Sequence, residues 1–166
     1  MRAEDTNSGA VSIPQASYAL FEAKRDGMDA VIAVNQALLS FVHARVFPGF
    51  LTVTLSAQEL ADNGMPAPSE SELLAGIGDE IENIVLGCQT KAGVQNAVFL
   101  ACVTSNGTRQ LLFYIHDPEI ANSALQSLLS NRSWEREWSY RMENDSEWAN
   151  AAQVFQLFPQ AGHLHS

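Results

Sequence analysis

The chain has 166 residues, of which 46% are apolar and 17% charged, and carries a formal net charge of −10. That length and composition fit one domain with a real core and exclude a disordered chain. The acidity argues against direct nucleic-acid binding, which needs Lys and Arg to neutralise phosphates, and against an anionic membrane surface; it permits a protein partner with a basic surface.

Residues 1–15, MRAEDTNSGAVSIPQ, are small, polar and broken by Pro14, and are expected to form a flexible tail with no apolar run of secretion-signal length. Residues 16–160 are expected to form a single domain, and 161–166 a second flexible tail. Two segments around Asp26-Gly27 read as a β-hairpin, because the turn needs the positive φ that Gly supplies cheaply. Asn35 to Arg45 reads as a short helix ended by Pro48-Gly49. In FLTVTLS, Leu51, Val53 and Leu55 alternate with Thr52 and Thr54, which predicts a strand. AQELADNGMPAPSE follows as a long loop, a common place for function.

SESELLAGIGDEIENIVLG carries an apolar stripe of Leu73, Leu74, Ile77, Ile81, Ile84 and Val85, and a Ser69/Glu72 capping-box spacing, which predicts a helix. NAVFLACVT is apolar on both faces and predicts a central strand, turned by Asn106-Gly107 into RQLLFYIH. Asp117-Pro118 starts another helix, with Asp as N-cap and Pro in the first turn. The longest apolar stretch, Ala97 to Val103, is far short of the roughly 20 residues of a membrane span. Cys88 and Cys102 have no paired or metal-ligand spacing and read as free thiols of a reducing compartment, so a cytoplasmic location is expected.

The segment WEREWSYRMENDSEW, Trp134 to Trp148, holds all three tryptophans. Trp134, Arg136, Trp138, Tyr140 and Met142 alternate with Glu135, Glu137, Ser139, Arg141 and Glu143, which predicts a strand with an aromatic and a charged face. After Asn144-Asp145 the period changes. Trp148, Ala151, Ala152, Phe155 and Phe158 recur at helical spacing, with Asn144 or Asp145 as cap. The element order predicts an α+β fold: a ferredoxin-like βαββαβ core with an N-terminal β-hairpin and a C-terminal helix, its antiparallel sheet covered by helices on one face.

No phosphate-binding glycine loop, zinc spacing or serine elbow is present, so no catalytic residue, cofactor or metal is assigned. His163 and His165 form an HxH pair in the C-terminal tail, where only adventitious metal is expected. His116-Asp117 is the one pairing that favours a hydrolase-type enzyme instead. Arg136 breaks the aromatic face and needs either the sheet margin or a carboxylate partner.

Four stretches occur in an order that resembles the bacterial domain-of-unknown-function 695 family: VIAVN (Val31 to Asn35), DNGMP (Asp62 to Pro66), GTRQLLFYIHD (Gly107 to Asp117) and YRMENDSEWANAAQVFQLFP (Tyr140 to Pro159). The chain departs from that pattern at its N-terminal tail, and Asp145-Ser146 replaces an expected Asp-Pro. The resemblance implies no established activity and no assigned residues. It does imply an organisation similar to proteins that also contain a domain like the regulator of ribonuclease activity B, hence protein–protein regulation, with a basic surface on an RNA-processing enzyme as a partner. The expected function is a non-enzymatic binding or regulatory module, with a hydrolase or a structural homodimer as alternatives. Its binding surface is expected at Asp62, Asn63, Arg136, Arg141 and Asp145.

Overall fold

Two tight turns build the sheet. Asp26-Gly27 and Asn106-Gly107 each place both residues at positive φ (53° and 82°; 47° and 78°), the geometry whose twist matches the flanking strands. They join β1 (Tyr18–Arg25) to β2 (Met28–Asn35) and β4 (Ala97–Ser105) to β5 (Thr108–Ile115). With β3 (Gly49–Ser56) and β6 (Trp138–Asn144) these strands form one antiparallel sheet in the order β1-β2-β4-β5-β3-β6. The computed structural model describes residues 11–159.

Three α-helices lie among the described residues: α1 (Pro68–Gly87), α2 (Pro118–Ser130) and α3 (Ala149–Phe155). The α+β class and the element order are as expected from sequence. The sheet has two strands more than a four-stranded βαββαβ core, because the N-terminal hairpin extends it beside β4. The short helix expected over Asn35 to Arg45 is two 3₁₀ turns, Gln36–Ser40 and Ala44–Val46, the first capped by the Asn35 side chain.

The expectation of helices on one face is corrected. On one face Leu51, Val53 and Leu55 of β3 pack with Leu74, Ile77, Ile81 and Val85 of α1 and Ala121, Leu125 and Leu128 of α2. On the other, Phe50, Val98, Leu100, Leu112 and Tyr114 pack with Leu38, Phe47, Trp148, Ala151 and Phe158. A sheet that is apolar on both faces must be covered on both, and α3 with the 3₁₀ turns covers the second. All nine residues of β4 are buried, as its sequence predicts.

Helix α1 starts at Pro68 after Ala67 with no side-chain cap, so the Ser69/Glu72 box is not used; Ile84 of the expected stripe is 41% exposed. The strand expected from Trp134 begins at Trp138. Val11 and Ile13, within the expected N-terminal tail, are partly buried against the second core. Residues 1–10 and the expected tail 161–166, with His163 and His165, lie outside the described residues. Among the described residues no helix is long and apolar enough to cross a membrane.

Candidate functional site

Arg136 finds its partner on α1. Its Nε and Nη2 donate to the two carboxylate oxygens of Glu70, each at 2.7 Å, and the Gln58 backbone N–H donates to Glu70 at 2.7 Å. The Glu70 side chain is 1% exposed and that of Arg136 15%. The Arg136 guanidinium, aided by the Gln58 amide, outweighs burial and holds Glu70 at about 2, below its ordinary 4.5. This fork-to-fork pair ties the end of β3, the start of α1 and the approach to β6. Its guanidinium is engaged by Glu70 and by the Glu135 carbonyl at 2.8 Å.

Asp145 sits at the opposite end of β6, where it begins a buried network. Its carboxylate accepts from Tyr114 Oη at 2.7 Å, the Ala149 N–H at 2.8 Å, the Asn150 N–H at 3.0 Å and Asn150 Nδ2 at 2.9 Å. Burial pushes Asp145 up, but these hydrogen bonds prevail and hold it below the usual carboxylate range. Burial and the adjacent carboxylate push Tyr114 well above an ordinary phenol. The Tyr114 ring stacks on Trp148, centroids 4.1 Å apart, and Trp148 Nε1 donates to the Phe47 carbonyl at 2.9 Å. Trp148 holds the N-cap position of α3, but of the two cap residues the sequence offered, Asn144 and Asp145, it is Asp145 that accepts from the first-turn N–H groups and fixes the helix to the sheet.

Arg141 lies on β6 opposite Thr52, facing the second core. It lines a groove of about 400 Å³ that crosses all six strands: Arg25 (β1), Ile32 (β2), Val103 (β4), Leu112 (β5), Thr52 (β3) and Arg141 (β6), with Asn150 and Gln153 of α3 along one wall. At strand spacings of about 4.8 Å the groove is about 24 Å long. Among the described residues no carboxylate lines it. Neither Arg25 nor Arg141 forms an ion pair among the described residues.

Asp62 is exposed in the loop before α1. Its neighbour Asn63 donates to Asp29 at 3.0 Å and accepts from the Met65 N–H at 3.1 Å. Asn63, Met65, Lys24 and Asp29 line an adjoining cavity of about 400 Å³ beside the first hairpin, which shares Ala23 and Lys24 with the groove, and Lys24 pairs with Asp29. The five sequence-chosen residues thus fall in three places. Apart from the chain neighbours Asp62 and Asn63, only Arg141 and Asp145 share a place, through Asn150, which donates to Asp145 and lines the groove with Arg141.

His116 and Asp117 do not engage each other. The His116 Nδ1 lies 2.7 Å from the Val46 carbonyl, and Asp117 caps α2 by accepting from the Glu119 N–H at 2.9 Å. Among the described residues no three of His, Cys, Asp and Glu are grouped to hold a metal.

Sequence reasoning missed Glu70 and Tyr114. Glu70 carried a signal: it shares the helical spacing of Leu74, Ile77 and Ile81, and a carboxylate on an apolar stripe requires a partner. No curated protein and no solved structure matches the chain. A family model described as a family of unknown function (DUF695) matches residues 17–153, a span that holds the whole six-stranded sheet, the Arg136–Glu70 pair and the Asp145 network. The chain belongs to this family, DUF695.

Proposed function

We propose that this chain is a non-enzymatic binding module whose ligand lies in the groove across the second face of the sheet. The observation that carries this is the lining: among the described residues, two arginines that form no ion pair, Arg25 and Arg141, stand over an apolar floor, and no carboxylate is part of the lining. The local charge is opposite to that of the whole chain. The occupant is therefore an extended acidic segment with apolar side chains, although the rest of the surface favours basic partners. The Asp145 network supports the reading, because it fixes α3 and so presets one wall. In keeping with the two free cysteines, the module belongs in a reducing compartment such as the cytoplasm. We read β3, α1, β4, β5, α2 and β6 as a ferredoxin-like core, supported by their order β6-β3-β5-β4 within the sheet.

Fluorescence anisotropy with a labelled peptide of alternating Glu and Leu, against its Lys/Leu counterpart, tests the groove. The wild type is expected to prefer the acidic peptide and the Arg25→Glu/Arg141→Glu variant to lose that preference. Equal affinity for both peptides, or a preference unchanged in the variant, overturns the proposal.

A second reading, a homodimer through the β1 edge, is favoured by Leu20, 74% exposed on an edge strand. Light scattering over a concentration series, with Leu20→Lys as control, tests it. A strict monomer removes it.

A further inference from the structure

On the sheet face opposite the groove, a cleft of about 290 Å³ opens between α1 and the first hairpin. Its floor includes Phe99 and Cys102, and Tyr18 stands at its mouth, ring edge toward Phe99 with centroids 6.1 Å apart. Burial pushes the Cys102 thiol up, so it packs rather than reacts.

Among the described residues no ion pair joins the charges around this cleft. Arg109 enters from β5 and rests against α1, where a Cβ on Gly78 would lie 3.6 Å from its Nε. That Nε is buried without a hydrogen-bond partner, and among the described residues Arg109 forms no ion pair. On the α1 wall, Asp79 and Glu82 are one helical turn apart. Burial and then the Asp79 charge raise Glu82, and Arg109 offsets this only from a distance. A partly buried guanidinium whose Nε has no hydrogen-bond partner, and a half-buried Glu82 with no cation within ion-pair distance among the described residues, are both costly.

A ligand bearing one charge of each sign relieves both. An anion alone would meet Asp79 and Glu82, and a cation alone would meet Arg109. At about 30 Å³ per water, the cleft holds the volume of about ten waters, which limits the ligand to about that many non-hydrogen atoms. We propose that this cleft is a second site, binding a small zwitterion of the amino-acid class with its carboxylate on Arg109 and its ammonium on Asp79 and Glu82. The apolar floor accommodates a short aliphatic side chain.

Two-dimensional amide NMR of the full chain, titrated with glycine, alanine, valine and leucine, tests the proposal. At least one is expected to give saturable shifts at Gly78, Asp79, Cys102 and Arg109. Its methyl ester and its N-acetyl form, each lacking one charge, are expected to bind about tenfold more weakly or worse. Arg109→Gln and Glu82→Gln are expected to weaken the free amino acid to the same degree, and a phenylalanine side chain at Ala33, which lines the cleft beside Cys102, is expected to fill it, so that Ala33→Phe abolishes the shifts. Should Ala33→Phe fail to fold, the two charge variants, checked by thermal melts, decide. The proposal is overturned if none of the four moves these amides at millimolar concentration, if the ester and N-acetyl forms bind as well as the parent, or if the shifts gather at Arg141 and Asn150 instead.

Discussion

Glu70 shares one face of α1 with Leu74, Ile77, Ile81 and Val85, so this helix carries a carboxylate into the core. Arg136 makes that tolerable, and the pair is invisible in the sequence because 66 positions separate its members. Its consequence is a pH dependence. Glu70 ionises at about 2 in the fold against an ordinary 4.5. A depressed carboxyl stabilises the fold fully above its ordinary value and loses that contribution as pH falls through the folded value. Glu70→Gln should lower the melting temperature by several degrees near neutrality and flatten its decline between pH 4.5 and 2. Parallel melting curves for wild type and variant over that window would show the pair to be inert. Asp145, by contrast, was legible as a cap because its targets, Ala149 and Asn150, are close in sequence; its bond to Tyr114 spans 31 positions and was not. Tyr114→Phe leaves the Ala151 N–H without its acceptor and removes one of the donors to Asp145. A buried group left unsatisfied costs about 1–3 kcal/mol, and urea unfolding should read that loss with an unchanged slope.

Elements were legible where period and hydrogen bonding agree, and blurred where they part. From Trp134 to Glu143 exposure alternates throughout, yet the strand begins at Trp138. Before that point the side chains are claimed by α1 and α2. Trp134 Nε1 donates to the Leu128 carbonyl at 3.0 Å, Arg132 lies 3.7 Å over the Trp134 ring, and Arg136 turns to Glu70. Alternation reports which residues face inward, not which pair in a ladder. Helix α3 shows a related limit, since its apolar stripe predicts a buried face but cannot say which side of the sheet receives it. At seven residues it is far below the length that holds a helix in isolation, so its anchor should decide its stability. That anchor is Trp148, held at φ 57°. Trp148→Gly relieves a left-handed strain of about 1–2 kcal/mol but deletes a ring worth about 3–5 kcal/mol. The lost ring outweighs the relief, and the variant should be destabilised by roughly 1–4 kcal/mol in equilibrium unfolding. A stabilised variant would show that the ring contributes little.

Across the whole molecule, burial falls from the centre of the sheet to its hairpin edge. Every residue of β4 is buried, and none of β1 is fully so. The sequence conveyed this gradient, since NAVFLACVT is apolar on both faces while YALFEAKR is not, but it did not convey strand order, which sets β3 between β5 and β6. The gradient predicts the pattern of native-state hydrogen exchange. Amides of β4 and β5 should exchange only through global unfolding, at the full stability of about 5–15 kcal/mol expected for a domain of this size. Amides of β1 should exchange through a smaller opening that frees the edge strand, lower by a few kcal/mol and nearly independent of urea. Leu20→Lys should leave the β4 and β5 rates unchanged, because Leu20 already faces solvent. If β1 instead exchanges as slowly as β4 in the wild type and faster in Leu20→Lys, the edge is covered in solution. A second copy on β1 then becomes the better account of the surface, ahead of the groove lined by Arg25 and Arg141.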